Sequence, residues 1–123
     1  MAKPPRQPAD ESGELDKPRE EDPRLQEIVR RLVGAYRPER IHLFGSRARG
    51  DARPDSDYDL LVIVADSTPP ELRDSALAYQ ALRGTGTAAD IVVVTRDYFD
   101  WMLDAAASLP ATVQREGRVL YAA

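Results

Sequence analysis

Apolar residues near the start of the chain recur with the period of an amphipathic helix. From residue 25 they occupy positions i, i+3, i+4, i+7, i+8 and i+11, which are Leu25, Ile28, Val29, Leu32, Val33 and Tyr36. This spacing places them on one helical face. Asp22 and Pro23 supply an N-cap acceptor and a proline at the first helical position. The pattern predicts a helix that begins at Pro23 and ends between residues 34 and 38.

Short apolar runs bounded by turn residues predict strands in the rest of the chain. The expected strands are RIHLFG at 40–45, DYDLLVIVA at 57–65, ADIVVVT at 89–95 and, as a short strand or extended end, RVLYA at 118–122. In the first of these, Ile41 and Leu43 lie on one face. His42 and Phe44 lie on the other face, and Gly45 ends the strand.

Helical patterns alternate with these strands. They predict a short helical stretch in 46–50, a helix from Pro69-Pro70 to about Leu82, and helices in RDYFDWMLDAAAS (96–108) and PATVQREG (110–117). Three aromatic residues of the third segment are interpreted as core residues, namely Tyr98, Phe99 and Trp101. Strands separated by helices predict an α/β or α+β fold with helices on at least one face of the sheet.

The 123 residues suffice for one compact domain with a hydrophobic core, which we place at residues 23–123. Residues 1–22 contain four prolines, many charges and few large apolar groups. Such a segment buries too little surface to offset the entropy of ordering it, so we predict a disordered, proline-rich acidic tail. Both lysines, Lys3 and Lys17, lie in this tail, which excludes a lysine nucleophile in the domain.

Composition narrows the chemistry of the domain. The net charge of −4 argues against general nucleic-acid binding through a basic surface. The chain has no cysteine and one histidine, His42, so a metal would have to be held by oxygen ligands. No stretch resembles a signal peptide or reaches the roughly 18 apolar residues of a membrane span. We therefore expect a cytoplasmic protein.

Two acidic residues stand where the second predicted strand begins. Asp57 and Asp59 are two positions apart, so their side chains project from one face of a strand, with Cα atoms about 7 Å apart. A magnesium ion would compensate their repulsion, because it prefers carboxylate and phosphate oxygens. Asp90 opens the next predicted strand. If the two strands are neighbours, the carboxylate of Asp90 completes a two-metal centre.

A phosphate-binding turn is predicted where the first strand ends. Gly45 permits a close approach of the backbone, and the Ser46 hydroxyl and following amides offer donors to an anion. Arg47 and Arg49 follow directly. Together with the acids, these residues predict a bound triphosphate, magnesium ions and an acceptor hydroxyl that loses its proton beside Asp90.

These residues together resemble the signature of the polymerase-β-like nucleotidyltransferase superfamily. Its pattern is matched by Gly45-Ser46, ten intervening residues, Asp57-Tyr58-Asp59 and a later strand acid at Asp90. The stretches LFGSRARG and SDYDLLV, in so short a chain, are similar to the minimal nucleotidyltransferase (MNT) branch over roughly residues 24 to 121. The resemblance implies the fold of that superfamily, a small mixed sheet flanked by helices.

The resemblance also implies roles for individual residues. The catalytic and magnesium-binding residues would be Asp57, Asp59 and Asp90. The nucleotide-binding residues would be Gly45 and Ser46 and, because they match the family stretch less exclusively, on weaker grounds Arg47 and Arg49. The enzyme would transfer a nucleoside monophosphate, AMP from ATP, to a hydroxyl group and release pyrophosphate.

The same resemblance implies a partner. MNT proteins commonly act as antitoxins of a HEPN-domain ribonuclease toxin and can adenylylate a tyrosine of that toxin. About thirty residues follow Asp90, whereas larger relatives append a domain that recognises the acceptor. We therefore expect the acceptor to be presented by a partner chain, in a homo- or hetero-oligomer.

Other interpretations remain open at this point. The protein could neutralise a partner by binding alone, or modify a small molecule as aminoglycoside nucleotidyltransferases do. Asp57 and Asp59 could merely cap a solvated strand edge. We interpret Arg53 as part of a solvated charged loop and His42 as a packed or satisfied histidine rather than a general base. The base preference, the acceptor, the number of nucleotides transferred and the stoichiometry are not encoded in any pattern we recognise.

Overall fold

The structure is a computed structural model that describes residues 22–123. Its single sheet contains four strands, β1 (Arg40–Phe44), β2 (Tyr58–Val64), β3 (Ala89–Thr95) and β4 (Arg118–Ala122). Their spatial order is β3-β2-β1-β4. The β2–β3 pair is parallel, whereas β1 runs antiparallel to both β2 and β4. The predicted strands and the predicted small mixed sheet are therefore confirmed.

Helices cover both faces of the sheet. They are α1 (Pro23–Tyr36), α2 (Ser46–Arg49), a 3₁₀ turn (Pro70–Leu72), α3 (Ser75–Ala81), α4 (Arg96–Met102) and α5 (Leu109–Glu116). The prediction of one continuous helix from Pro69 to Leu82 is wrong, because the helical conformation is interrupted at Asp74. That residue is extended (φ −82°, ψ 132°), and its side chain accepts a hydrogen bond from the Ala76 amide. The aspartate therefore acts as an N-cap and begins a new helix.

One face of the sheet, which we call the α1/α3 face, carries the larger core. The α1 helix begins as predicted, because the Asp22 side chain accepts hydrogen bonds from the amides of Arg24 (3.0 Å) and Leu25 (3.4 Å). The buried residues of α1 are Leu25, Ile28, Leu32 and Tyr36. They pack against inward-facing strand residues that include Ile41, Leu43, Leu60, Val62, Val64 and Ile91.

The opposite face, which we call the α4/α5 face, carries a smaller core. Its fully buried apolar residues are Leu61, Ile63, Phe99 and Val113. Of the three aromatic residues predicted to be core, only Phe99 is buried. Tyr98 is 42% and Trp101 73% exposed, so the prediction is wrong for both. Successive helical residues are about 100° apart, which turns the side chains at 98 and 101 away from the sheet when Phe99 faces it.

The predicted disordered tail, residues 1–22, lies outside the described residues except for Asp22, the N-cap of α1. Across residues 22–123, none of the helices combines the length and the apolar character that crossing a membrane requires.

Candidate active site

Three aspartate residues lie at one end of the sheet. The β2–β3 pairing aligns Asp59 with Asp90, so the two residues are direct neighbours on parallel strands. Asp57 comes just before β2, which starts at Tyr58 and not at Asp57 as predicted. Side chains alternate along a strand, so Asp59 shares the α4/α5 face with Leu61. The strand adjacency on which the three-acid prediction depended is therefore present.

The carboxylates of Asp57 and Asp90 act electrostatically on Asp59. Burial raises the pKa of the Asp59 carboxyl above its usual value, and the carboxylates of Asp90 and Asp57 raise it further. Arg49 acts in the opposite direction and lowers this pKa. Each carboxylate therefore disfavours ionisation of Asp59, and a cation placed among them would relieve that repulsion.

Gly45 makes the closest approach to these acids. It follows Phe44, the cross-strand partner of Asp59, and has a φ of +74°. A Cβ atom added at Gly45 would lie 2.2 Å from Asp59 Oδ2. Only glycine fits here, both because of its backbone conformation and because the carboxylate occupies the space of a side chain. Ser46 begins α2 immediately afterwards, which brings the predicted phosphate-binding turn against the acids.

The donor set fits magnesium, although it is not a complete cage. Within residues 22–123, no three histidine, aspartate or glutamate side chains are already gathered around a common point. Magnesium typically takes one or two carboxylates and fills its remaining positions with water and substrate phosphate oxygens. The facing pair of Asp59 and Asp90, with Asp57 near Asp59, satisfies this requirement with hard oxygen ligands.

The two arginines of the Gly-Ser stretch have different surroundings. Arg49 is exposed, forms ion pairs with Asp51 (3.3 Å) and Glu116 (4.0 Å), and lies near enough to Asp59 to lower its pKa. The Arg47 guanidinium instead donates hydrogen bonds to backbone carbonyls of the loop before β2. Of the two, Arg49 is the one whose charge acts on Asp59.

His42 and Arg53 lie outside this site. His42 is 3% exposed, and its ring centroid is 5.7 Å from that of Phe99. Burial, assisted by the charge of Arg40, lowers the pKa of His42 to about 4. Within the described residues its Nε2 atom has no hydrogen-bond partner, so the histidine is packed but not satisfied. Arg53 is exposed, in agreement with the interpretation of a solvated loop.

One hydrogen bond that the sequence patterns did not predict joins two residues 36 positions apart. The Tyr58 hydroxyl donates a hydrogen bond to Asp22 Oδ2, and thereby connects the start of β2 to the N-cap of α1. Tyr58 lies between Asp57 and Asp59 in sequence, yet it faces the α1/α3 core. Only the alternation of strand side chains could have indicated that it points away from Asp57 and Asp59.

Residues 23–118 match the family model described as "Nucleotidyltransferase domain". The chain belongs to this nucleotidyltransferase family. A protein of Methanocaldococcus jannaschii named "Putative protein adenylyltransferase" is 35% identical over 103 residues, which cover 82% of this chain and 98% of that protein. Its near-complete coverage is in keeping with the minimal branch, in which one such domain forms most of the protein. The predicted family is thus confirmed, and with it the assignment as a transferase of nucleoside monophosphates.

Solved structures agree on the fold. The crystal structure of a "putative nucleotidyltransferase" from Sulfolobus solfataricus superposes with a TM-score of 0.55 at 22% identity, covering 80% of this chain and 78% of the other. A crystal structure of a toxin-antitoxin with AMP-PNP superposes with a TM-score of 0.52 at 24% identity, covering 80% of this chain and 73% of the other. At these identities the likeness concerns the fold, and it confirms the predicted fold class.

Proposed function

We propose that this nucleotidyltransferase transfers AMP from ATP to a hydroxyl group of a partner protein in a Mg²⁺-dependent reaction. The observation that carries the proposal is the parallel register of Asp59 and Asp90 beside Gly45, which brings two neighbouring carboxylates against the Gly45-Ser46 turn. The relative named as a protein adenylyltransferase supports AMP as the group and protein as the acceptor. We further propose that the acceptor is a tyrosine of a HEPN-type toxin and that this chain is its antitoxin, a role supported by the toxin-antitoxin neighbour.

In this proposal Asp57, Asp59 and Asp90 hold the magnesium ions. Bound magnesium would neutralise charge on the triphosphate and on the leaving pyrophosphate. Gly45 and Ser46 bind the phosphates through backbone amides and the serine hydroxyl. A large side chain at position 45 would collide with Asp59, so the phosphates can approach the acids only because this residue is glycine.

Asp90 also acts on the acceptor. It is exposed and lies on β3, an edge strand of the sheet, so a hydroxyl group can reach it from solvent. The hydroxyl oxygen forms a bond to the α-phosphorus of ATP while the bond from that phosphorus to the bridging oxygen breaks. Pyrophosphate leaves, and the hydroxyl proton passes to the Asp90 carboxylate. Such proton transfer contributes roughly 10²- to 10⁴-fold in rate.

A partner-bound acceptor fits the architecture. Every helix and strand from residue 23 to 122 belongs to the sheet and its flanking layers. Within the described residues there is accordingly no separate module to hold a second substrate. Asp90 faces solvent at the sheet edge, where a second protein could place a tyrosine hydroxyl.

The proposal is tested by incubating the full chain with Mg²⁺, each of the four α-³²P-labelled nucleoside triphosphates and the protein encoded by the neighbouring gene. Label from ATP should enter the acceptor, and tandem mass spectrometry should place AMP on a tyrosine. Asp59→Asn should abolish labelling, whereas Asp104→Asn, an exposed aspartate beyond α4, should not. Absence of label with every triphosphate, or full labelling by Asp59→Asn, would contradict the proposal.

The same variants distinguish catalysis from binding. An Asp59→Asn variant that binds the toxin but no longer protects cells from it indicates that protection requires transfer. Protection by Asp59→Asn equal to that of the wild type would show that complex formation alone neutralises the toxin. Labelling of aminoglycosides in place of the protein would instead assign the enzyme to small-molecule substrates.

A further inference from the structure

Arg47 lies on α2, directly after the Gly45-Ser46 turn, and its guanidinium group holds the loop that leads into β2. Its Nε and Nη2 atoms donate hydrogen bonds to the Ser56 carbonyl oxygen at 3.0 and 2.7 Å. Nη2 also donates to the Pro54 carbonyl oxygen at 3.2 Å. Backbone carbonyls thus occupy the Nε–Nη2 edge of the guanidinium, one of the two edges through which arginine can bind a phosphate with two hydrogen bonds.

The guanidinium group is also fixed from behind. Its central carbon lies 4.1 Å from the centroid of the Tyr58 ring, within the range of a cation–π interaction. Tyr58 is 2% exposed, and its hydroxyl donates a hydrogen bond to Asp22 at the start of α1. Arg47 therefore rests on a ring that the α1/α3 core and the helix cap both immobilise.

The loop that Arg47 holds ends at a metal-site acid. Ser56, whose carbonyl accepts two of the bonds, immediately precedes Asp57. Residues 51–57 contain no helix or strand, and a turn in which the Ser56 amide donates to the Arg53 carbonyl and the Arg53 amide donates to Ser56 Oγ leaves the link to α2 to Arg47. The same side chain extends from α2, which carries the phosphate-binding turn. A single residue thereby connects the two halves of the site.

We infer that Arg47 is a positioning residue that fixes Asp57 relative to Asp59 and the Gly-Ser turn, and that it is not a ligand of the nucleotide phosphates. This inference rests on the proposed function for its meaning in catalysis. The residues that orient metal ligands typically affect metal affinity or activity by 10- to 100-fold when they are replaced. The role requires the planar fork of arginine, since a lysine ammonium group cannot bridge two carbonyls and stack on a ring in the same way.

The test compares Arg47→Met, Arg47→Lys and the control Arg53→Met, which removes an exposed arginine from the same loop. The first measurement is hydrogen–deuterium exchange of the Ser56 and Asp57 amides. The second is binding of Mn²⁺ alone, followed by the electron paramagnetic resonance signal of the free ion. The third is the ATP transfer assay, with kcat, KM for ATP and the Mg²⁺ midpoint determined separately.

Both Arg47 variants should accelerate exchange of the Ser56 and Asp57 amides, weaken Mn²⁺ binding by roughly 10- to 100-fold and raise the Mg²⁺ midpoint in transfer, with a smaller change in KM for ATP. Arg53→Met should match the wild type in every measurement. A phosphate ligand behaves differently: Arg47→Met would raise KM for ATP without changing Mn²⁺ binding or exchange, and Arg47→Lys would restore much of the ATP affinity. That result would overturn the inference.

Failure of the proposed function gives a distinguishable result. If the wild-type chain transfers no nucleotide but binds Mn²⁺ in a manner that Asp59→Asn abolishes, the proposed reaction is wrong, whereas the effect of Arg47 on the metal site can still be measured. If the wild-type chain does not bind Mn²⁺ either, hydrogen–deuterium exchange of the Ser56 and Asp57 amides still tests the inference. Unchanged exchange of Ser56 and Asp57 in a folded Arg47→Met variant would show that Arg47 does not hold the loop.

Discussion

The two faces of the sheet differ in packing and in chemistry. The α1/α3 face is closed by a long amphipathic helix whose inward residues, such as Ile28 and Leu32, are fully buried. The α4/α5 face has fewer buried apolar residues and carries the strand residues His42, Asp59 and Asp90. The proposed site needs room for substrates on the α4/α5 face, which is consistent with the smaller core there and the larger core on the opposite face.

The same strand serves both faces. In β2, Leu60 and Val62 complete the α1/α3 core, while Asp59 and Leu61 alternate onto the α4/α5 face. The strand is therefore anchored by one set of side chains and presents the other set to the site. This arrangement holds a half-buried carboxylate in place without requiring apolar contacts of its own.

The largest expected effect concerns the acids of the α4/α5 face. Asp59→Asn should abolish transfer and weaken binding of Mg²⁺-ATP, because Asp59 is proposed to anchor metal and nucleotide together. Asp90→Asn should reduce the transfer rate by roughly 10²- to 10⁴-fold while affecting nucleotide binding less, since Asp90 is proposed to act also on the acceptor. Calorimetric titration with Mg²⁺-ATP beside the transfer assay separates the two steps. Wild-type transfer by Asp90→Asn would remove Asp90 from the site.

Stability should respond in the opposite direction to activity at this position. Because the pKa of Asp59 is raised in the folded state, its charged form is disfavoured there and the folded protein gains stability as pH falls through that pKa. Asp59→Asn should therefore leave the melting temperature at pH 7 unchanged or higher. A marked fall would show that the Asp59 carboxylate contributes to folding.

The α1/α3 face should lose much stability when its core is truncated. Leu32 is fully buried at the centre of α1, and Leu32→Ala should lower the free energy of unfolding by about 2–5 kcal/mol, through lost burial and a remaining cavity. The matched control is Leu72→Ala, at a leucine that is 44% exposed. Urea titrations of both variants provide the comparison. Equal losses would mean that the burial of Leu32 in the α1/α3 core contributes nothing to stability.

His42 should make the stability of the protein depend on pH. Its pKa is lowered from 6.5 to about 4 in the folded state, so the unfolded chain binds a proton first as pH falls. Stability should be highest above pH 6.5 and should decline towards pH 4, by about 3 kcal/mol in all. His42→Phe retains a ring against Phe99 and should remove this contribution. The comparison uses only the slope of the free energy of unfolding with pH. A pH-independent packing difference between His42→Phe and the wild type therefore cancels.

Much of this architecture could be predicted from local patterns. The apolar spacing of α1, its Asp22 cap and the uninterrupted apolar run of β2 determine their own structures, because helix and strand periods differ and burial enforces them. The position of Asp90 also followed from the assumption that consecutive strands are neighbours. What could not be predicted depends on tertiary placement. The 3₁₀ turn ends before Asp74, and α3 begins after it. Composition alone does not distinguish this interruption from a continuous helix.

The site shows the same limit. Arg47 and Arg49 are two positions apart, and the family resemblance implies that both bind phosphate. In the fold, the Arg47 guanidinium donates to the Ser56 carbonyl, whereas Arg49 lies near enough to Asp59 to lower its pKa. This choice depends on where the loop before β2 passes. The burial of His42 without a partner for Nε2 is equally invisible in a strand whose alternation is otherwise regular.

The smallest expected effect concerns the exposed side of α4. Trp101 is 73% exposed and meets Tyr98 edge-on, with ring centroids 6.3 Å apart, whereas Phe99 between them is buried. Trp101→Ala should therefore change the free energy of unfolding by no more than about 0.5 kcal/mol. Phe99→Ala, the control from the same helix, should cost about 3–5 kcal/mol.

Trp101 is the only tryptophan in the chain, so its fluorescence reports on this site alone, and acrylamide should quench it almost as efficiently as free tryptophan. A protected indole, or a large loss of stability in Trp101→Ala, would show that the α4/α5 face extends its core onto the outside of the helix.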